Sequence, residues 1–158
     1  MSLSMDYNAV KSITYNLSRM SYDLKKRGEV EIKRCAEDLL EKAIELAPMD
    51  TGALRESGKV KKKSNSEYEV VFDVTVKDRL KKQGKSASSV SNPDFHYSGI
   101  QHDNLAYHHD IGQALFLEEP YEMYKEQYKD EIASALKNVI RRTKWTRRSG
   151  GWSKRGSR

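Results

Sequence analysis

A helical pattern that is cut off at a single residue constrains this chain more than any other feature. From Glu29 to Ala47 the apolar residues Ile32, Cys35, Ala36, Leu39, Leu40, Ala43, Ile44 and Ala47 recur at steps of three and four, with charged residues between them. That spacing places them on one face of a helix. Pro48 ends the pattern, because a proline ring pushes the preceding residue out of the α region. Met49-Asp50-Thr51-Gly52 then reads as a tight polar corner. Asp50 or Thr51 can bond nearby backbone N–H groups there, and Gly52 permits a backbone conformation that other residues resist. Beyond the corner, Leu54 turns into the core and a strand begins. A chain built this way turns from helix to sheet at Pro48.

The remaining elements follow from periodicity. Val10, Ile13, Leu17, Met20 and Leu24 predict an earlier helical segment from about Tyr7 to Lys26, with Gly28 as a bend or break before the second. Tyr68, Val70, Phe72, Val74 and Val76 alternate with mostly polar residues, which predicts a half-buried strand over Glu67–Val76. Ser64-Asn65-Ser66 is a turn cluster, so Ala53–Lys63 pairs with that strand as an antiparallel hairpin. Residues 77–92, a stretch of Lys, Gln, Gly, Ser and Ala with little to bury, read as a long flexible loop. Phe95–Gln101 supplies a third strand. Pro120 sits in the first turn of a closing helix carrying Tyr121, Tyr124, Tyr128, Ile132, Leu136 and Val139, which continues to about Arg142. The expected fold is α+β: a long N-terminal helix, a small antiparallel sheet of three to four strands, and a C-terminal helix packed on that sheet.

At 158 residues the chain suits one domain, over residues 5–142. Met1-Ser2-Leu3-Ser4 reads as a vector-derived leader. The net charge of +6 is concentrated at the other end: eight bases and no acid follow Ile140, which leaves the rest of the chain at −2. Residues 143–158 are therefore expected to be a basic, disordered tail. Arg141, Arg142, Lys144, Arg147 and Arg148 are the candidate phosphate contacts, and Trp145 and Trp152 between such bases suit stacking. The alternative is simple solvation of a mobile end. The single Cys35 rules out an internal disulfide, and its apolar helix face makes it a core residue rather than a nucleophile. No apolar run approaches the roughly 18 residues that span a bilayer, so a soluble protein without membrane contact is expected.

Two patterns invite chemistry. Asp50-Thr51-Gly52 matches the tripeptide of aspartic proteases, but a dyad sharing a proton needs strands around it, and here a helix precedes it. His96, His102, His108 and His109 fall close to Asp103 and Asp110, which would serve a metal-dependent hydrolase. They spread over a strand and a loop without the fixed interval of short metal motifs, and solvated or hydrogen-bonded histidines are the simpler reading. No phosphate loop, nucleophile elbow or Cys/His pairing is present. The expectation is no enzyme, no cofactor and no metal.

Three segments then carry a resemblance. Ala47-Pro48-Met49-Asp50-Thr51-Gly52-Ala53-Leu54-Arg55-Glu56-Ser57, the segment from Tyr97 to Gln101-His102, and Gly112-Gln113-Ala114-Leu115-Phe116-Leu117-Glu118 resemble the head-tail joining and tail-completion proteins of tailed bacteriophages. The resemblance covers roughly residues 29–140. It makes Pro48, Asp50, Thr51, Gly52, Leu54, Gln101, His102, Phe116 and Leu117 structural motif residues, with no catalytic residue to carry over. It implies a homo-oligomeric ring at the phage neck or head-proximal tail end, assembled in the host cytoplasm. Other neck or tail proteins would be its partners, and DNA would pass through its channel. The alternative is a nucleic-acid-binding module that uses the basic tail.

Overall fold

The computed structural model describes residues 7–106, 110–143, 145–148 and 151–154. The first helix, α1, is continuous over Tyr7–Leu46. Gly28 does not break it. The backbone at Gly28 stays helical, and a Cβ added there would meet only Leu136 Cδ2, at 3.7 Å, so the small residue lies beneath the closing helix instead of forming a hinge. Past the corner, where a strand was expected from Ala53, the chain first makes the short helix α2 (Ala53–Ser57); then come β1 (Gly58–Ser64), β2 (Glu67–Phe72), α3 (Val76–Lys82), a 3₁₀ turn (Ala87–Ser89), α4 (Ser98–Asp103) and α5 (Glu118–Arg142). The basic end after Arg142, expected to be a disordered tail, carries β3 (Trp145–Arg148) and β4 (Gly151–Lys154).

The architecture is α+β, with a sheet smaller than expected. β1 and β2 form a two-stranded antiparallel hairpin, with Val60 opposite Val70 and Gly58 opposite Phe72. Strand β2 stops at Phe72 although the alternation runs on to Val76, because Thr75 caps a helix. Asp78 N–H donates to Thr75 Oγ1 at 3.3 Å, and Thr75 N–H donates to Asp78 Oδ2 at 2.9 Å. This reciprocal box satisfies two otherwise orphaned donors and starts α3 at Val76, so residues 77–82 of the segment expected to be a loop are helical. The backbone and hydroxyl of Thr75 hold the Asp78 carboxyl below the usual carboxylate range. With the strand gone from residues 74–76, the expected third strand at 95–101 has no ladder to join. Among the described residues one isolated bridge, Thr75 to His96, remains, and residues 98–103 coil into α4.

Helix α5 lies along α1, not on the sheet. Its contacts run from Gly28–Leu136 through Arg34–Glu131 to Asp38–Tyr128, so the helices are antiparallel. Tyr128 donates its hydroxyl to Asp38 at 2.6 Å. Burial pushes that phenol upward, and the bond to the carboxylate adds to the effect. Arg34 reaches both Glu31 and Glu131, which raises its already high proton affinity and ties the two helices across the seam. Cys35, Tyr128 and Ala135 are buried, and burial raises the Cys35 thiol, leaving it protonated and inert. The hairpin occupies the opposite side of α1. Lys62 and Tyr68 reach Glu29, and Gly58 sits against Leu40. At about 100° per residue, Glu29 and Leu40 lie half a turn from Arg34 and Asp38. Helix α1 is thus a spine covered on two sides, and β4 also runs against it.

Candidate functional site

The end of α1 is where the three motif segments meet. The last regular helical bond is Ala47 N–H to Ala43 O, at 2.9 Å, and Pro48 has no N–H to extend the ladder. The carbonyls left over are satisfied from far away in sequence. Gln113 N–H donates to Leu46 O at 2.9 Å, Arg55 Nε donates to Ala47 O at 2.8 Å, and Arg55 Nη2 donates to Glu45 O at 3.1 Å. A guanidinium there also meets the negative end of the helix dipole. Helix α2 delivers it. Gly52 takes a φ of 79°, Thr51 Oγ1 accepts from Ala53 N–H at 3.4 Å, and the short helix turns Arg55 back toward the end of α1. Leu54, on the same turn, is buried.

The third segment locks over this corner. Gly112 has a φ of 91°, and a Cβ built on it would lie 2.6 Å from Ala47 O and 2.7 Å from Pro48 Cα. No side chain fits between these backbones. Met49 N–H donates to Ile111 O at 3.0 Å, so the two strands of chain are pinned on both sides of the glycine. Leu115, at a φ of 54°, then donates its N–H to His102 O at 2.8 Å. Phe116 drops into the core at 1% exposure, edge-on to Phe72 at 5.0 Å and to His102 at 5.1 Å. Phe116 joins Ala47, Ala53, Leu54 and Val74 in the central cluster, with Leu117 packed beside them. Pro48, Gly52, Leu54, His102, Phe116 and Leu117 are thereby brought to one hub.

An open groove of about 510 Å³ borders the hub, lined in part by Pro48, Met49, Asp50, Gln101 and Ile111. In it Asp50 Oδ2 pairs with Arg79 of α3, 2.8 Å from Nε and 2.6 Å from Nη2. Asp50 therefore faces a guanidinium, which favours its charged form, whereas a protease dyad needs a proton shared between two carboxylates. The corner's own N–H group is met by Thr51 instead. Tyr97, also lining the groove, has its phenol raised by burial.

The histidines go to separate places. His96 Nδ1 lies 2.9 Å from Asp73, and His102 Nδ1 lies 2.7 Å from Asp103. His108 and His109 lie outside the described residues, and among the described residues no group of three or more potential ligands is placed to hold a metal. Of the basic candidates, Arg141 and Arg142 are exposed in the last turn of α5, Arg147 and Arg148 belong to β3, and Lys144 lies outside the described residues.

Sequence reading gave no separate role to Arg55, Arg79 or Gly112, whose partners are distant in the chain. Only their membership in the quoted motifs marked Arg55 and Gly112.

The family model described as "Bacteriophage HK97-gp10, putative tail-component" matches residues 11–107, from the second turn of α1 to just past α4. No curated protein and no solved structure matches the chain.

Proposed function

The chain belongs to the HK97-gp10-like family of bacteriophage tail components, and from that membership we propose that it forms a homo-oligomeric ring at the phage neck or the head-proximal tail end. There it joins or completes head and tail, in contact with other neck or tail proteins and around the passing DNA. Its place is the virion, and assembly takes place in the host cytoplasm. Among the described residues no helix is long and apolar enough to cross a membrane.

The observation that carries this reading is the use to which the motif residues are put. Arg55 closes helix carbonyls, Gly112 lets two backbones touch, Asp50 holds Arg79, and Phe116 fills the core. These are the demands of a rigid part.

The test is genetic and visual. A phage lacking this gene is expected to accumulate filled heads and separate tails, with joining restored by the protein supplied in trans. Joined, infectious particles assembled without the protein would remove the reading.

A further inference from the structure

The charges of the two long helices are segregated along their length. In α1 up to Arg27, five bases (Lys11, Arg19, Lys25, Lys26, Arg27) stand against Asp23 alone, whereas from Glu37 to its end four acids stand against Lys42. In α5 the order is reversed: six acids and two lysines up to Glu131, then Lys137, Arg141 and Arg142 with no acid. Because the helices are antiparallel, like charges share each end of the pair. One end is strongly basic and the other strongly acidic.

This pattern works against the isolated chain. An antiparallel pair gains most when its ends carry opposite charges, and here they repel. Charge placement on α5 suits its own dipole, but that on α1 opposes it. Helix α1 has no acid in its first turn and no base in its last. Lys11, Arg19, Lys25 and Lys26 make no ion pair among the described residues, and neither do Glu41, Glu45, Glu118 and Asp130. Both ends also expose apolar side chains: Tyr15 at 65% and Tyr22 at 64% on the basic end, Met123 at 72% on the acidic end.

We propose that the basic end of α1 and α5 docks on the acidic end of the same pair in a second copy of this chain. The complementarity of the two ends argues for this occupant. Nucleic acid would account for the basic end alone, whereas a second copy accounts for both. Such a contact is heterologous, head to tail, and repeats of it close into a ring or run on as a filament. The inference rests on the self-assembly proposed above and names the surface that would carry it.

The whole chain is tested by sedimentation velocity at low salt, in three forms: the natural sequence, K11E/R19E, and E41K/E45K. Neither double variant removes an ion pair of the described residues, and the changes nearest the ends of α1, Lys11→Glu and Glu45→Lys, improve the match between its charges and its dipole. The natural sequence should associate, and more weakly as salt rises. Each variant alone should associate at least roughly tenfold more weakly, and their equimolar mixture, in which acidic ends meet basic ends, should recover most of the loss. A natural chain that stays monomeric at every concentration overturns the proposal. So does association unchanged in either variant, or a mixture that fails to recover. Loss of binding to a short DNA duplex in K11E/R19E, with self-association intact, would assign the basic end to nucleic acid and likewise overturn it. If the variants associate normally and still join heads to tails in the phage, only this interface falls and the assembly reading stands.

Discussion

Replacing Gly112 with alanine is expected to destabilise the protein by about 3 kcal/mol or more, enough to leave a large share of chains unfolded at 37 °C. Two effects add. A φ of 91° is strained for any residue with a Cβ, at about 1 kcal/mol or somewhat more. The Cβ would also stand 2.6 Å from Ala47 O and 2.7 Å from Ala47 C and Pro48 Cα, all of them backbone atoms. These cannot rotate aside as a side chain can. The hydrogen bonds Met49 N–H to Ile111 O and Gln113 N–H to Leu46 O hold the segments together, so relief requires breaking one of them. Gly84 separates the two contributions. It has a φ of 67° but nothing within 4 Å of its would-be Cβ, so Gly84→Ala should cost only about 1 kcal/mol. Urea denaturation of the two variants beside the natural protein measures both. Equal costs at the two positions would mean that the close approach at Gly112 carries no energy.

Phe116→Ala is expected to lose about 3–5 kcal/mol. Phe116 is among the largest fully buried side chains, and the central cluster around it otherwise consists of two alanines, Leu54 and Val74. Removing the ring leaves Phe72 and His102 facing a void, and the small neighbours cannot close it. Leu115 adds to the dependence. Its left-handed backbone is strained for a leucine and persists because burial of Phe116 fixes the chain on its far side. Phe116→Leu keeps much of the volume and should cost about 1–1.5 kcal/mol. If Phe116→Ala melted like the natural protein, the three motif segments would not share a core.

How much of this was legible in the sequence depended on range. The α1 periodicity and its stop at Pro48, the hairpin turn at Ser64-Asn65-Ser66, and α5 with Pro120 in its first turn are local signals, and each lies where the sequence placed it. Two helical segments became one because Gly28, inside a long helix covered by its neighbour, does not act as a breaker. The alternation from Glu67 runs four residues past the end of β2 at Phe72. Val74 and Val76 continued the alternation, but Thr75-Val76-Lys77-Asp78 also spelled a capping box, and the cap prevailed. That one exchange removed the third strand and turned part of the expected loop into a helix. Helix α5 packs against α1, not on the sheet, through contacts distant in the chain such as Arg34–Glu131 and Asp38–Tyr128. The hub depended on contacts that no local pattern encodes. Arg55 reaches back eight residues to Ala47, and Gly112 meets a proline 64 positions earlier, so their roles became visible only once the chain was folded.

The corner at Pro48, the end of α4 and the Gly112–Phe116 segment are expected to form one cooperative unit that makes this part of the chain rigid. Native-state hydrogen exchange at the amides of Met49, Gln113 and Leu115 tests it most directly. These donate across the three segments to Ile111, Leu46 and His102. All three amides are expected to be protected, to exchange with one common opening free energy, and to lose protection together in the Gly112→Ala variant. Fast exchange at any of them, or three unrelated opening energies, would contradict it.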